Sequence, residues 1–554
     1  PPPDTKPSPQ EPKKLTWTPE PTGLALSPDG STLAVTCAAP TSTVLVGDAR
    51  SGAASAAIRA GHTAMGPAIA PDASRLYVCN RFNHDVSVID LATGREAARV
   101  PAVREPVAAA VTPDGKTVLV ANHLPNDAIG VYPLSAMGTV IDAQTLATSV
   151  IRLAHGSHSL RGLCVSPDGK YAYATHVLAN FELIPTQVEM GWMSINAVSV
   201  IDVAQRKVIN TLGLDESYLA AGNPWGVTAT PDGKAICVTH AGTDDVTLVD
   251  AAAAAGPLVH VYVPGAAGAV LDDPQSDRPL RRRVKLPGKG PRGLALAGSM
   301  LYAAEYFTDT LAVVDLGARS ETAAGQIALG PTPEWTPQRR GEVLFNDATI
   351  CRQQWQSCAS CHPDGRAEAL NWDLVNDGVG NPKNTKSMIL AHETPPAMFE
   401  GVRPTAAAAV RAGLENILFA YRPEEEAAAI DAYLRSLKPV PSPRLVDGRL
   451  SPAAERGKRL FESHEVGCAK CHPAPWYTDR KMHNVGTQGP YEPASRFDTP
   501  TLIEVWRTAP YLHDGRYLTV KELLIQGKHG ASLGRLESMS QQEIDDLVEF
   551  VLSL

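Results

Sequence analysis

The chain has 554 residues, of which 44% are apolar and 20% charged, a globular composition too long for one hydrophobic core. A net charge of −9 with a pI near 5.9 argues against a nucleic-acid partner, which requires a basic face. The sequence holds no apolar run long enough to predict a membrane-spanning helix.

The N-terminal stretch Pro1-Pro2-Pro3-Asp4-Thr5-Lys6-Pro7 reads as an extended tether over residues 1–14, at a mature or trimmed terminus. From residue 15 a phrase recurs: Ser27-Pro28-Asp29-Gly30, Ala70-Pro71-Asp72-Ala73, Thr112-Pro113-Asp114-Gly115, Ser166-Pro167-Asp168-Gly169 and Thr230-Pro231-Asp232-Gly233. Pro presets the first turn position, Asp supplies a side-chain acceptor, and Gly permits positive φ. Apolar stretches flank each turn, and a third run ends in aspartate, as in Val86-Ser87-Val88-Ile89-Asp90. Four short strands per repeat of about 40 residues predict β-propeller blades over 15–330. Longer intervals mark insertions at 177–196 and 251–287. Six blades can be counted, and a seventh is expected from Lys14–Thr18 pairing near residues 320–330. Tyr77-Val78-Cys79-Asn80 makes the repeat similar to the YVTN-type seven-bladed propeller, a likeness of fold rather than function.

His176 and His240 stand where other blades have Asn80 and Asn122. They are expected to hydrogen-bond the turn that follows, as asparagine does; a ligand or metal cluster at the propeller axis is the alternative. The basic run Arg281-Arg282-Arg283 with Lys285 is expected to be a solvated loop. Cys37, Cys79, Cys164, Cys237 and Cys351 read as buried core thiols.

Beyond a linker near Pro331 the chain repeats itself. Arg340-Gly341-Glu342-Val343-Leu344-Phe345 precedes Cys358-Ala359-Ser360-Cys361-His362. Arg456-Gly457-Lys458-Arg459-Leu460-Phe461 precedes Cys468-Ala469-Lys470-Cys471-His472. Each copy closes with a helix of i, i+3, i+4 apolar spacing at Ile430–Leu434 and Ile544–Val548. Two all-α cytochrome c-like domains are therefore expected, 331–442 and 443–554. Two thiols three apart can add to the vinyl groups of one porphyrin edge, and the adjacent histidine then reaches its iron. A shared zinc site is the competitor, but the pairs are too far apart in sequence and each is followed by histidine. The expected cofactors are two covalent c-type haems held by Cys358, Cys361, His362, Cys468, Cys471 and His472. Assembly of such haems outside the cytoplasmic membrane makes a periplasmic or cell-surface location the expectation.

These motifs, with Thr499-Pro500-Thr501-Leu502 and Ala509-Pro510-Tyr511-Leu512-His513-Asp514-Gly515, make the region from 331 to 554 resemble the bacterial di-haem cytochrome c peroxidase and MauG superfamily. The resemblance implies a peroxidase-type oxidoreductase. A small oxidant would be reduced at the first haem, with electrons relayed through the second from an external partner such as a small cytochrome or cupredoxin. It also allows bound calcium and a homodimer. A MauG-like oxidase acting on a protein, with the propeller as docking platform, is one alternative. Because a propeller joined to such a unit is also similar to hydrazine synthase subunits, nitrogen-compound chemistry is another. An electron-transfer module carried by a binding propeller is the third.

The sixth ligand decides among these. Where the family has Met or Tyr for the second haem, this chain has Ile525-Gln526-Gly527-Lys528-His529-Gly530, so His529 is the first candidate and Met539 the second. For the first haem no His, Met or Tyr lies between Pro363 and Thr385, and an open iron face is expected. His392 is a candidate distal group. Phe399 stands where the family has tryptophan, and Glu415 is nearest to the position of the family's catalytic glutamate.

Overall fold

The computed structural model describes residues 20–185, 193–216, 219–256, 281–376 and 378–554. The first 330 residues build six four-stranded antiparallel blades, at 20–59, 64–101, 106–152, 157–213, 224–285 and 291–328. In the fourth blade the innermost position is divided between two short strands, Ser157–His158 and Leu163–Val165. The repeated turn works as its chemistry requires. In the first blade Asp29 accepts from Ser27 Oγ at 2.5 Å and from Ser31 N at 3.0 Å, while Gly30 sits at φ +69°. The insertion at 177–196 begins and ends as an extended hairpin, with Tyr171–Ala179 paired to Ser194–Asp202.

Five apolar clusters fill the five gaps between successive blades, such as Val44, Ile58, Leu76 and Ile89 between the first and second. Among the described residues no cluster joins the sixth blade to the first. Leu24 and Leu26 on the first and Ile327 on the sixth are exposed. The expected seventh-blade strand, Lys14–Thr18, lies outside the described residues, and Gly325–Ala328 is the fourth strand of the sixth blade. The run Arg281–Lys285, expected as a solvated loop, is instead the outer strand of the fifth blade. Arg281 donates to the Asp215 carbonyl at 2.6 Å and Arg283 reaches Asp245 at 2.5 Å. Internal partners, not solvent, take up this charge.

The remainder is helical and twofold repetitive. The helices Pro337–Asn346 and Pro452–Glu462 cross the closing helices Glu424–Ser436 and Gln541–Val551. Gly341 and Gly457 make these crossings: a Cβ on either would lie 1.8 Å from Ala429 O or 1.9 Å from Asp546 O. Phe345 and Phe461, one turn on, are buried in the two module cores. Among the described residues no helix is long and apolar enough to cross a membrane.

The helical part lies against one end of the propeller through polar contacts. Asn223 donates to Ser357 Oγ at 2.8 Å and accepts from Ser360 Oγ at 2.7 Å. Ser194 meets Gln356 at 3.0 Å, and Arg104 donates to the carbonyls of Arg507 and Ala509.

Candidate haem cavity

Both Cys-x-x-Cys-His segments border one cavity of about 860 Å³, lined by Cys358, Cys361, His362, Cys468, Cys471 and His472. The four thiols do not converge on one point. Among the described residues the sole cluster with metal-ligand spacing is Cys471, Asp479 and His483, which leaves a shared zinc site of four thiolates without geometry.

Each motif histidine is held by its own backbone. His362 Nδ1 lies 2.9 Å from Arg366 O and His472 Nδ1 lies 2.9 Å from Tyr477 O. A carbonyl can only accept, so Nδ1 carries the proton in both rings and Nε2 keeps its lone pair. Burial lowers the pKa of both, that of His472 to about 4, so both rings stay neutral. That is the ligand-competent state.

The ring of His529 stands 6.5 Å from that of His472, centroid to centroid. Two imidazoles binding one metal from opposite sides require roughly 6 Å, since each metal–nitrogen bond is about 2 Å. The residues therefore fit a haem iron between them. His529 arrives there because the Val520–Ile525 helix is only six residues long, capped by Thr519, and the chain then turns back. Met539, the second candidate, is buried in the core of the same module.

The first module keeps the same register but not the same turn. Thr405 caps the Ala406–Asn416 helix as Thr519 caps its counterpart, and Glu415 falls at the position of His529. The first helix is longer, and Glu415 is exposed on it, outside the cavity lining. His392 also lies outside that lining. Its Nε2 is 3.4 Å from Asp431, which Arg411 also engages.

Between the modules the counterparts Phe399 and His513 meet edge to face at 6.4 Å, and His513 stacks on Phe497 at 3.8 Å. Lys383 reaches Glu492 at 2.8 Å, and Glu492 meets His513 Nε2 at 3.0 Å. His176 donates to or accepts from Ser199 Oγ at 2.9 Å, and His240 pairs likewise with Thr247 Oγ1 at 2.8 Å. Asn80 and Asn122 bond Ser87 and Thr139 in the same way, so the histidines do the work of asparagine.

Sequence reasoning missed two features. Glu368, fully buried, accepts from Trp372 Nε1 at 2.6 Å and Thr385 Oγ1 at 2.7 Å. Burial pushes its pKa up to about 8. Asp364, directly after the first haem motif, is gripped by two propeller arginines. Its position beside His362 was visible, but its partners lie roughly 200 and 280 residues upstream in a different fold, and no local pattern links them.

No family model matches the chain. It is 31% identical to hydrazine synthase subunit gamma of Kuenenia stuttgartiensis, over 39% of this chain and 77% of that protein. It is 24% identical to the methylamine utilization protein MauG of Methylophilus methylotrophus, over 39% of this chain and 81% of that protein. It is 28% identical to the cytochrome-c peroxidase IdrP1 of Denitromonas iodatirespirans, over 23% of this chain and 48% of that protein. These relatives define a class of haem c oxidoreductases. The chain belongs to the family of hydrazine synthase subunit gamma, within the cytochrome c peroxidase and MauG superfamily.

Proposed function

We propose that the protein is an exported di-haem oxidoreductase in which a small oxidant of the peroxide type is reduced at the first haem, with electrons relayed through the second. On this reading residues 331–442 and 443–554 each carry one haem. Cys358 and Cys361 anchor the first with His362 as proximal ligand; Cys468 and Cys471 anchor the second between His472 and His529. Bound haem c would supply one-electron chemistry, and an iron with an open face a position for a small oxidant.

The observation that carries the reading is the inequality of matched positions: His529 faces His472 across a metal-sized gap, while Glu415 points to solvent. The second module is thus built to saturate its iron, and the first is not. Phe399 and His513 pack edge to face at the junction between the modules. A small cytochrome or cupredoxin is the proposed electron partner, calcium an additional cofactor, and a homodimer the proposed assembly. Visible spectra of the purified protein test this. One low-spin and one high-spin haem, the latter shifting with peroxide, are expected; two low-spin haems indifferent to peroxide would leave only an electron-transfer role.

The 31% identity to the hydrazine synthase gamma subunit favours a second reading, in which the first haem handles a small nitrogen compound. Replacing peroxide by nitric oxide or hydroxylamine in the same titration separates the two.

A further inference from the structure

The propeller grips one haem motif and leaves the other alone. Asp364, two residues past His362, accepts from Arg81 Nη2 of the second blade at 2.7 Å and Arg161 Nη2 at the fourth blade's inner edge at 3.1 Å. Arg81 is also tied to buried Glu105 at 2.7 Å. The other side of the same loop is held by the second module: Arg366 donates to Glu504 through Nε at 2.9 Å and Nη2 at 2.6 Å. Arg366 Nη1 returns to the Asp364 carbonyl at 2.9 Å. Between these clamps lies the carbonyl of Arg366, the acceptor for His362 Nδ1. In the second motif the matching position is Ala474, which has no side-chain acceptor, and among the described residues His472 bonds Tyr477 O of its own loop.

We propose that Arg81 and Arg161 are positioning residues for the first haem: acting through Asp364, the propeller fixes the carbonyl that orients and polarises His362. A proximal histidine donating Nδ1–H to a well-placed acceptor is a stronger electron donor to its metal, and such outer partners typically matter about 10–100-fold. Two guanidiniums from different blades hold one carboxylate through charge-assisted, directional hydrogen bonds. The propeller is then part of the redox unit, and the first haem's properties depend on blades that never touch its iron. This rests on the reading that His362 ligates a haem.

The test uses the full-length holoprotein with three variants, Asp364→Asn, Arg81→Lys and Arg161→Lys. The lysine variants keep the charge and lose the planar fork, so a purely electrostatic effect leaves them like the parent. The readouts are the iron–histidine stretching band of the reduced first haem and its ferrous/ferric ratio at fixed potential. The second haem's spectrum is the internal control for folding. All three variants are expected to displace the band and change the ratio by about tenfold toward the ferrous form, with the second haem unchanged. An Asp364→Asn/Arg81→Lys double variant should add nothing to the larger single effect. A parent-like first-haem band in both lysine variants overturns the proposal. If mass analysis finds no haem on Cys358 and Cys361 in the parent protein, the underlying functional reading fails instead.

Discussion

The two helical modules share a fold and a motif, and differ in what surrounds each motif histidine. In the second, His472 bonds its own loop and faces His529 across 6.5 Å. In the first, the proximal loop is clamped by two propeller blades and by Glu504, and the position matching His529 is turned to solvent. One repeat thus places two matching Cys-x-x-Cys-His motifs in different surroundings. The divergence comes from helix length after a threonine cap and from which motif loop the propeller arginines reach.

The largest way to break this comparison is to remove a crossing. Gly457→Ala places a methyl against Asp546 O where no side chain can yield, and should cost the second module about 3 kcal/mol or more. Its haem bands should shift in denaturant before those of the first, with Gly341→Ala producing the reverse order. Next, His529→Ala should turn the second haem from low-spin to predominantly high-spin in the visible spectrum while the first keeps its bands. An unchanged spectrum removes His529 as ligand.

A pH-dependent effect tests the burial of the first module. Glu368 has its pKa raised by burial from 4.5 to about 8, so the folded state holds this proton more tightly than the unfolded one. Its contribution is fully present below pH 4.5 and is lost as pH rises toward 8, by up to about 1.4 kcal/mol per pH unit. Denaturant midpoints of the parent should fall relative to Glu368→Gln across that window; parallel curves refute the assignment. The smallest expected effect is at Glu415. Glu415→Ala should change stability by no more than about 0.5 kcal/mol and leave both haem spectra intact, since the helix carries this side chain away from the cavity. A loss of peroxide reactivity in that variant would restore Glu415 as the catalytic acid.

Some of this was legible in the chain itself. The five Pro-Asp turns announced the propeller repeat because each residue meets a separate local demand, and the paired Arg-Gly…Phe and Cys-x-x-Cys-His phrases announced the repeated helical modules. His529 stood out because it is a rare residue type in the segment where a ligand was sought. Periodicity and local chemistry determine such features, since their partners lie within one turn or one hairpin. The inequality of the modules was not decided locally. Glu415 and His529 occupy equal positions in sequence, and only the extra helical turn beneath Glu415 separates their directions. Arg281–Lys285 looked solvated until Asp215 and Asp245 supplied partners from adjoining elements. Asp364 reads as a turn residue until Arg81 and Arg161 arrive from blades far upstream. Sequence set the repeats and the paired Cys-x-x-Cys-His motifs; tertiary structure chose which motif loop the propeller holds and which matched position faces a motif histidine, because burial and charge pairing depend on neighbours that the chain brings together only on folding.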